Sequence, residues 1–196
     1  MPVDVIDKPE DLIERIINLA PEDVEAKLPS LLGEIEDNGV EESMNEYPGV
    51  LLQIFLKLEE SDLVSIGENA PEIFDRLTKI IWAGVSKRSE AVASYLEAIV
   101  SDLPAKKLVV NFETFDTPFK LHFVVSDGKF SGGVGMTSFR EQDCRWFADT
   151  KIILALMRGE FRQTMIFTEK LFFEGSFGLL GRKAVPLCAL LGSLLM

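Results

Sequence analysis

The side chains that could do chemistry are few. His122 is the only histidine, and no cysteine lies near it in sequence, so a zinc or iron site lacks its usual ligand spacing. Of the two thiols, Cys144 and Cys188, Cys188 has no nearby base. No G-x-S-x-G elbow occurs and His122 has no evident serine partner, which leaves nucleophilic catalysis without its parts. Among the carboxylates of the second half, Asp149 and Glu174 stand in apolar settings. Asp149 reads most simply as a helix cap and Glu174 as the outward residue of a strand. The remaining Asp and Glu scatter over polar faces, with no pair at a metal-ligand spacing. The expectation is a protein with no catalytic residues, no metal and no cofactor.

The stretch FFEGSFGLLGRKAVPLCALLGSLLM, residues 172–196, tests two further chemistries. A phosphate loop needs G-x-x-x-x-G-K-[ST], but Gly175 and Gly181 enclose five residues and lead into Arg182, Lys183 and Ala184, with no hydroxyl for magnesium. A dinucleotide fingerprint would need an acidic residue about twenty positions on, beyond the last residue given. The uncharged run from Ala184 to Met196 has 13 residues, interrupted by Pro186, against the roughly twenty that span a bilayer. What remains is a strand followed by an apolar helical tail. Its Phe177, Leu180, Leu187, Leu190, Leu191 and Leu194 are too many for one narrow stripe. Core packing is the simpler account of them, and a cover over a cavity is the other.

The elements that position these residues fall into two halves of different charge. The chain has 196 residues, 47% of them hydrophobic, and a net charge of −12. Residues 1 to 100 hold 22 Asp and Glu against 8 Lys and Arg, and the remainder 10 against 12. That balance repels a phosphate backbone, and neither half carries a basic stripe, which argues against a nucleic-acid partner. MPVDVIDKPED has no basic n-region or long apolar h-region, and two thiols without a secretory signal read as cytoplasmic, reduced and buried.

Before Pro104 everything reads as helix and turn. In DKPEDLIERIINLA, Asp7 can cap, Pro9 can sit in the first turn, and Leu12, Ile13, Ile16 and Ile17 share a face. A second helix begins at Pro21, is expected to break or bend at Pro29, and ends at Asn38-Gly39. Three more follow, with Val50, Leu51, Ile54, Phe55 and Leu58 inward, then Ile73, Leu77, Ile80 and Ile81, then Val92, Leu96 and Ile99. The helix-starting prolines at 9, 21, 29, 48 and 71 are too irregular for a solenoid repeat. After Pro104 the period becomes two. Leu108, Val110 and Phe112 mark one strand, and Phe119, Leu121, Phe123 and Val125 a second. Asp127-Gly128 reads as a hairpin turn into a strand whose Gly132, Gly133 and Gly135 suggest a bulge or a close backbone approach. A strand with Cys144, Trp146 and Ala148 on one side, a short helix closed by Gly159 and a last strand in EKLFFEG complete the order.

That order carries a family resemblance. DCRWFAD, then IILALMRGEF, then KLFFEGSFGLL resembles the second half of a sterol carrier protein type 2 (SCP2) domain, with Leu156 to Gly159, Lys170-Leu171, Gly175 and Gly178-Leu179 at the matching steps. The resemblance spans about residues 87–196, and residues 1–86 form an acidic helical region outside it. It implies an α+β fold with a mostly antiparallel five-stranded sheet, helices on one face and an elongated apolar tunnel. It also implies a non-enzymatic protein that binds or transfers a lipid or fatty acyl chain.

On that reading, Trp146, Ile153, Met157, Phe161, Met165, Phe167, Phe173, Phe177 and Leu180 are the candidate lining. Arg182 and Lys183 stand near the mouth, where they could meet a headgroup, with plain solvation as the alternative. Transient membrane contact is compatible with such a role, as is a homodimer or protein partner docked through the helical half. The other open reading is a scaffold protein whose helical half docks a partner and whose SCP2-like half is structural. An enzyme acting on a lipid substrate is the least favoured.

Overall fold

The structure, a computed structural model, describes residues 9–46, 49–103 and 105–195. Asp7, expected to cap the first helix, and Pro48 and Pro104 lie outside them. Helix α1 (Pro9–Ile17) turns Leu12 and Ile16 inward, and a 3-10 turn (Pro21–Asp23) leads into α2 (Val24–Asn38). The expected break at Pro29 does not occur, because α2 runs through the proline as one helix. An interior proline costs about 3 kcal/mol. Here the buried row Val24, Leu28, Leu31, Leu32 and Ile35 continues on both sides of it, so packing outweighs propensity.

Gly39, at φ 88°, ends α2 and admits α3 (Val40–Glu46). Helix α4 (Val50–Glu60) buries the five residues read from its spacing. Helix α5 (Leu63–Asn69) was not anticipated. Asp62 starts it by accepting from the amides of Val64 and Ser65, each at 3.1 Å. Helix α6 (Glu72–Arg88) is buried well beyond one stripe, with Phe74, Thr78, Trp82 and Val85 added to the expected face. It is the shared spine, packing on α2, α3 and the sheet. A 3-10 turn (Ser89–Val92) precedes α7 (Ala93–Val100).

Strands β1 (Lys107–Thr114), β2 (Lys120–Ser126), β3 (Lys129–Val134), β4 (Cys144–Ala148) and β5 (Phe172–Glu174) form one sheet in the order β3-β2-β1-β4-β5. Only β1 and β4 pair parallel among these neighbours, so the architecture is α+β with a mixed, mostly antiparallel sheet. Asp127 and Gly128, at φ 51° and 70°, make the expected tight turn between β2 and β3. The glycines of β3 serve a close approach. The register runs unbroken from Ser126↔Lys129 to Leu121↔Val134, and a Cβ on Gly132 would stand 2.4 Å from the Trp82 ring.

The parallel pair requires the chain to cross from β3 to β4, and residues 135–143 do so as a strap tied to β1. Asn111 is fully buried. Its Nδ2 donates to Gln142 Oε1 at 2.7 Å and its Oδ1 accepts from the Thr137 amide at 3.0 Å. Asp143 accepts from the Val109 amide at 2.7 Å. The strap explains why β1 is buried on both faces, whereas its alternation alone suggested one. Asn111→Ala would strand the Thr137 amide and Gln142 together. It is expected to lower stability by about 2 kcal/mol, read as a lower urea midpoint.

After β4 come α8 (Thr150–Met157), α9 (Gln163–Thr168), β5, α10 (Phe177–Leu179), a π turn (Leu180–Ala184) and α11 (Val185–Leu195). Asp149 occupies the cap position of α8 but makes no side-chain cap bond. Asp116 replaces it, accepting from the Thr150 amide at 2.8 Å and hydroxyl at 2.7 Å. This bond pins α8 to the β1–β2 turn. Gly159, at φ 79°, closes α8 as expected. Arg88 at the end of α6 donates to the carbonyls of Leu194 at 2.8 Å and Met44 at 2.6 Å, anchoring α11. Among the described residues no helix is long and apolar enough to cross a membrane.

Candidate functional site

The candidate lining residues gather on the helix-covered side of β4 and β5. Strand alternation turns Trp146 inward from β4, and Phe173 faces it directly across the β4–β5 register. Their rings lie 4.8 Å apart between centroids, and Phe161, from the α8–α9 loop, meets Trp146 at 5.8 Å. Both contacts are edge-on, a favoured aromatic geometry. Ile153 and Met157 of α8 and Met165 of α9 are fully buried with Trp146. Phe161, Phe173 and Leu180 are half-buried and pack against the same core.

The other candidates are placed differently. Phe167 is 84% exposed on the outer side of α9. Phe177 begins α10, and its side chain lies outside the described residues. Ile166, Leu179 and Leu190 also pack half-buried against the core, and of these the sequence reading singled out only Leu190 as a candidate cover. Burial thus grades outward from Trp146 to Phe167.

The segment that covers Trp146 is lightly built. It runs between Gly159 and Gly175, which has φ 149°, and contains a helix of six residues and a strand of three. Met165 is its one fully buried methionine, and its carbonyl receives the amides of Glu169 and Leu171, both at 3.1 Å. Methionine is unbranched and adapts to irregular gaps, so Met157 and Met165 form a deformable wall. Two clefts, of about 470 and 450 Å³, lie elsewhere. One is bounded by Asn18, Asp23 and Lys27 of the α1–α2 corner, the other by Ser94, Glu97 and Asp127 beside α7. Neither includes a candidate lining residue.

Arg182 is exposed on the π turn, whereas Lys183 is buried. The Lys183 ammonium donates to the Ile99 carbonyl and to the Asp102 carboxylate, tying the π turn to the end of α7. That hydrogen bond is the main reason the Asp102 carboxyl is held below its ordinary value of 3.8. A depressed carboxylate stabilises the fold fully above its unfolded value, and the contribution is lost as pH falls through the folded one. The tie is therefore expected to hold at neutral pH and to be lost only in acid, as pH falls below the ordinary value of 3.8. Lys183→Met should lower Tm at pH 7, with the difference from the parent protein shrinking in strong acid.

The thiols are quenched. Cys144 and Cys188 are buried free thiols. Burial pushes Cys144 up to about 12 and raises Cys188 as well, so neither supplies a thiolate at neutral pH. His122 is half-buried, and its Nδ1–H donates to the Gly135 carbonyl at 2.8 Å. Glu174 pairs with Arg145 at 2.9 Å on the opposite face of the sheet, where Glu113 joins Arg145 to Lys120. No group of three or more metal-ligating side chains occurs among the described residues.

Sheet and covering helices together define an α+β protein with a five-stranded, mostly antiparallel sheet, the architecture expected from the sequence. No family model matches the chain, and no curated protein does. Among solved structures it is similar to a protein described as UbiJ-SCP2, a ubiquinone synthesis protein. The two share 19% identity over 53% of this chain and 89% of that one, with a TM-score of 0.33.

Proposed function

We propose that this protein binds a lipid or fatty acyl chain, without catalysis, in the apolar layer between β4–β5 and α8–α9. The observation that carries the reading is the graded layer itself. Fully buried Trp146, Met157 and Met165 pass into half-buried Phe161, Phe173 and Leu180 and end at exposed Phe167, and four of these side chains, Phe161, Met165, Phe167 and Phe173, are carried on one short, glycine-bounded segment. A chain sliding beneath that segment exchanges water for hydrocarbon, which contributes about 0.8 kcal/mol per CH₂. Relative to a bilayer the same contribution nearly cancels, so a lipid can pass between membrane and protein with little net change. That balance suits carriage.

The buried, protonated thiols support binding over thiol-based catalysis. Titration with a fluorescent fatty acid tests the reading. Saturable uptake with blue-shifted emission is the expected result, and no saturable signal in neutral buffer would oppose it.

A further inference from the structure

Trp146 carries a donor that nothing among the described residues answers. The ring is fully buried, and its Nε1 has no hydrogen-bond partner. Tryptophan N–H groups usually find a partner when buried, and leaving one desolvated and unpaired is costly. A stability role does not explain it, since phenylalanine would fill an apolar site without that penalty. The nearest aromatic partners, Phe161 and Phe173, come from the lightly held segment over the proposed lipid site.

Trp82 Nε1 is also unpaired, but that ring packs on Gly132 of β3, at the far edge of the sheet. The arginines on either side of Trp146 in sequence are engaged elsewhere. Arg145 faces the other side of the sheet, held by Glu113 and Glu174, and Arg158 is held by Glu59 and Glu160.

We propose that Trp146 Nε1–H is the polar reader of the site, donating to a neutral carbonyl oxygen, of a ketone or an ester, carried within the lipid chain. This rests on the lipid-binding reading above and adds a selectivity to it. A carboxylate drawn to the same depth would be desolvated without a cation, so a simple fatty acid leaves its headgroup at the solvent edge and the indole unanswered. A carbonyl-bearing chain satisfies the donor at no cost in charge.

The test is competition against the bound fluorescent fatty acid. The competitors are long-chain ketones with the carbonyl at different positions and the alkane of equal length. At least one ketone is expected to displace the probe about tenfold better than the alkane, the worth of one buried hydrogen bond made against one left unmade. Trp146→Phe should lose the preference, with ketones and alkane displacing the probe equally on that variant. Equal displacement by ketones and alkane on the parent protein would overturn the proposal while leaving lipid binding intact. Absence of any probe uptake would instead remove the lipid reading itself.

Should Trp146→Phe fail to fold, the indole N–H resonance of the parent protein, assigned with Trp82→Phe, gives the same answer. A downfield move on adding the preferred ketone, absent with the alkane, is expected. An unmoved resonance with ketone bound contradicts the assignment.

Discussion

Phe161→Arg is expected to reduce lipid uptake more than tenfold while leaving the circular dichroism spectrum unchanged. Phe161 is half-buried and touches Trp146. In the empty protein a guanidinium there can reach solvent along its own aliphatic stem, so the fold survives. A lipid arriving beside it would strip that water, and a loss of only about 1.4 kcal/mol already amounts to tenfold in affinity. Met157→Arg would be a poorer probe. Met157 is fully buried in α8, and an unpaired charge at such a position costs several kcal/mol, enough to unfold the protein rather than report on binding. Uptake that survives Phe161→Arg unchanged would show that the chain does not pass between the α8–α9 loop and β4.

Gly192→Ala is expected to be the most destabilising small substitution in the tail. A Cβ on Gly192 would stand 2.3 Å from the Arg158 carbonyl oxygen and 2.4 Å from its carbon. Both are backbone atoms at the closed end of α8, so no side chain can swing aside, and α11 must lift. Overpacking of this kind costs about 1–3 kcal/mol, and the rigid neighbour places this case near the top. A urea melt should show a lower midpoint at unchanged slope. An unchanged midpoint would mean that α11 does not seat against α8 as closely as described.

Sequence spacing was most informative where one face of an element is buried and the other is not. Helix α4 and strand β2 bury the residues their periods select, and the Asp127-Gly128 turn is set by local chemistry alone. Misreadings came from partners distant in sequence. Asp116 caps α8 from 34 residues away, and no local pattern announces that. The strap buries the second face of β1 through Asn111, a residue that alternation assigns to solvent. Lys183 reads as a surface charge until Asp102 and the Ile99 carbonyl are placed beside it.

Helix α5 was legible in principle, since S-D-L-V-S places a capping aspartate before an apolar pair. Its shortness hid it behind the stronger helices on either side. The apolar layer was legible as a set of residue types and as a family resemblance. The unanswered indole within it was not, because the lack of a partner is a property of three-dimensional neighbours.

Native mass spectrometry of gently purified protein tests the central claim most directly. The expected result is a population heavier than the chain by the mass of a bound lipid, released on collisional activation and restored by incubation with lipid vesicles. The mass of the chain alone under every gentle condition, with no gain after incubation, would contradict it.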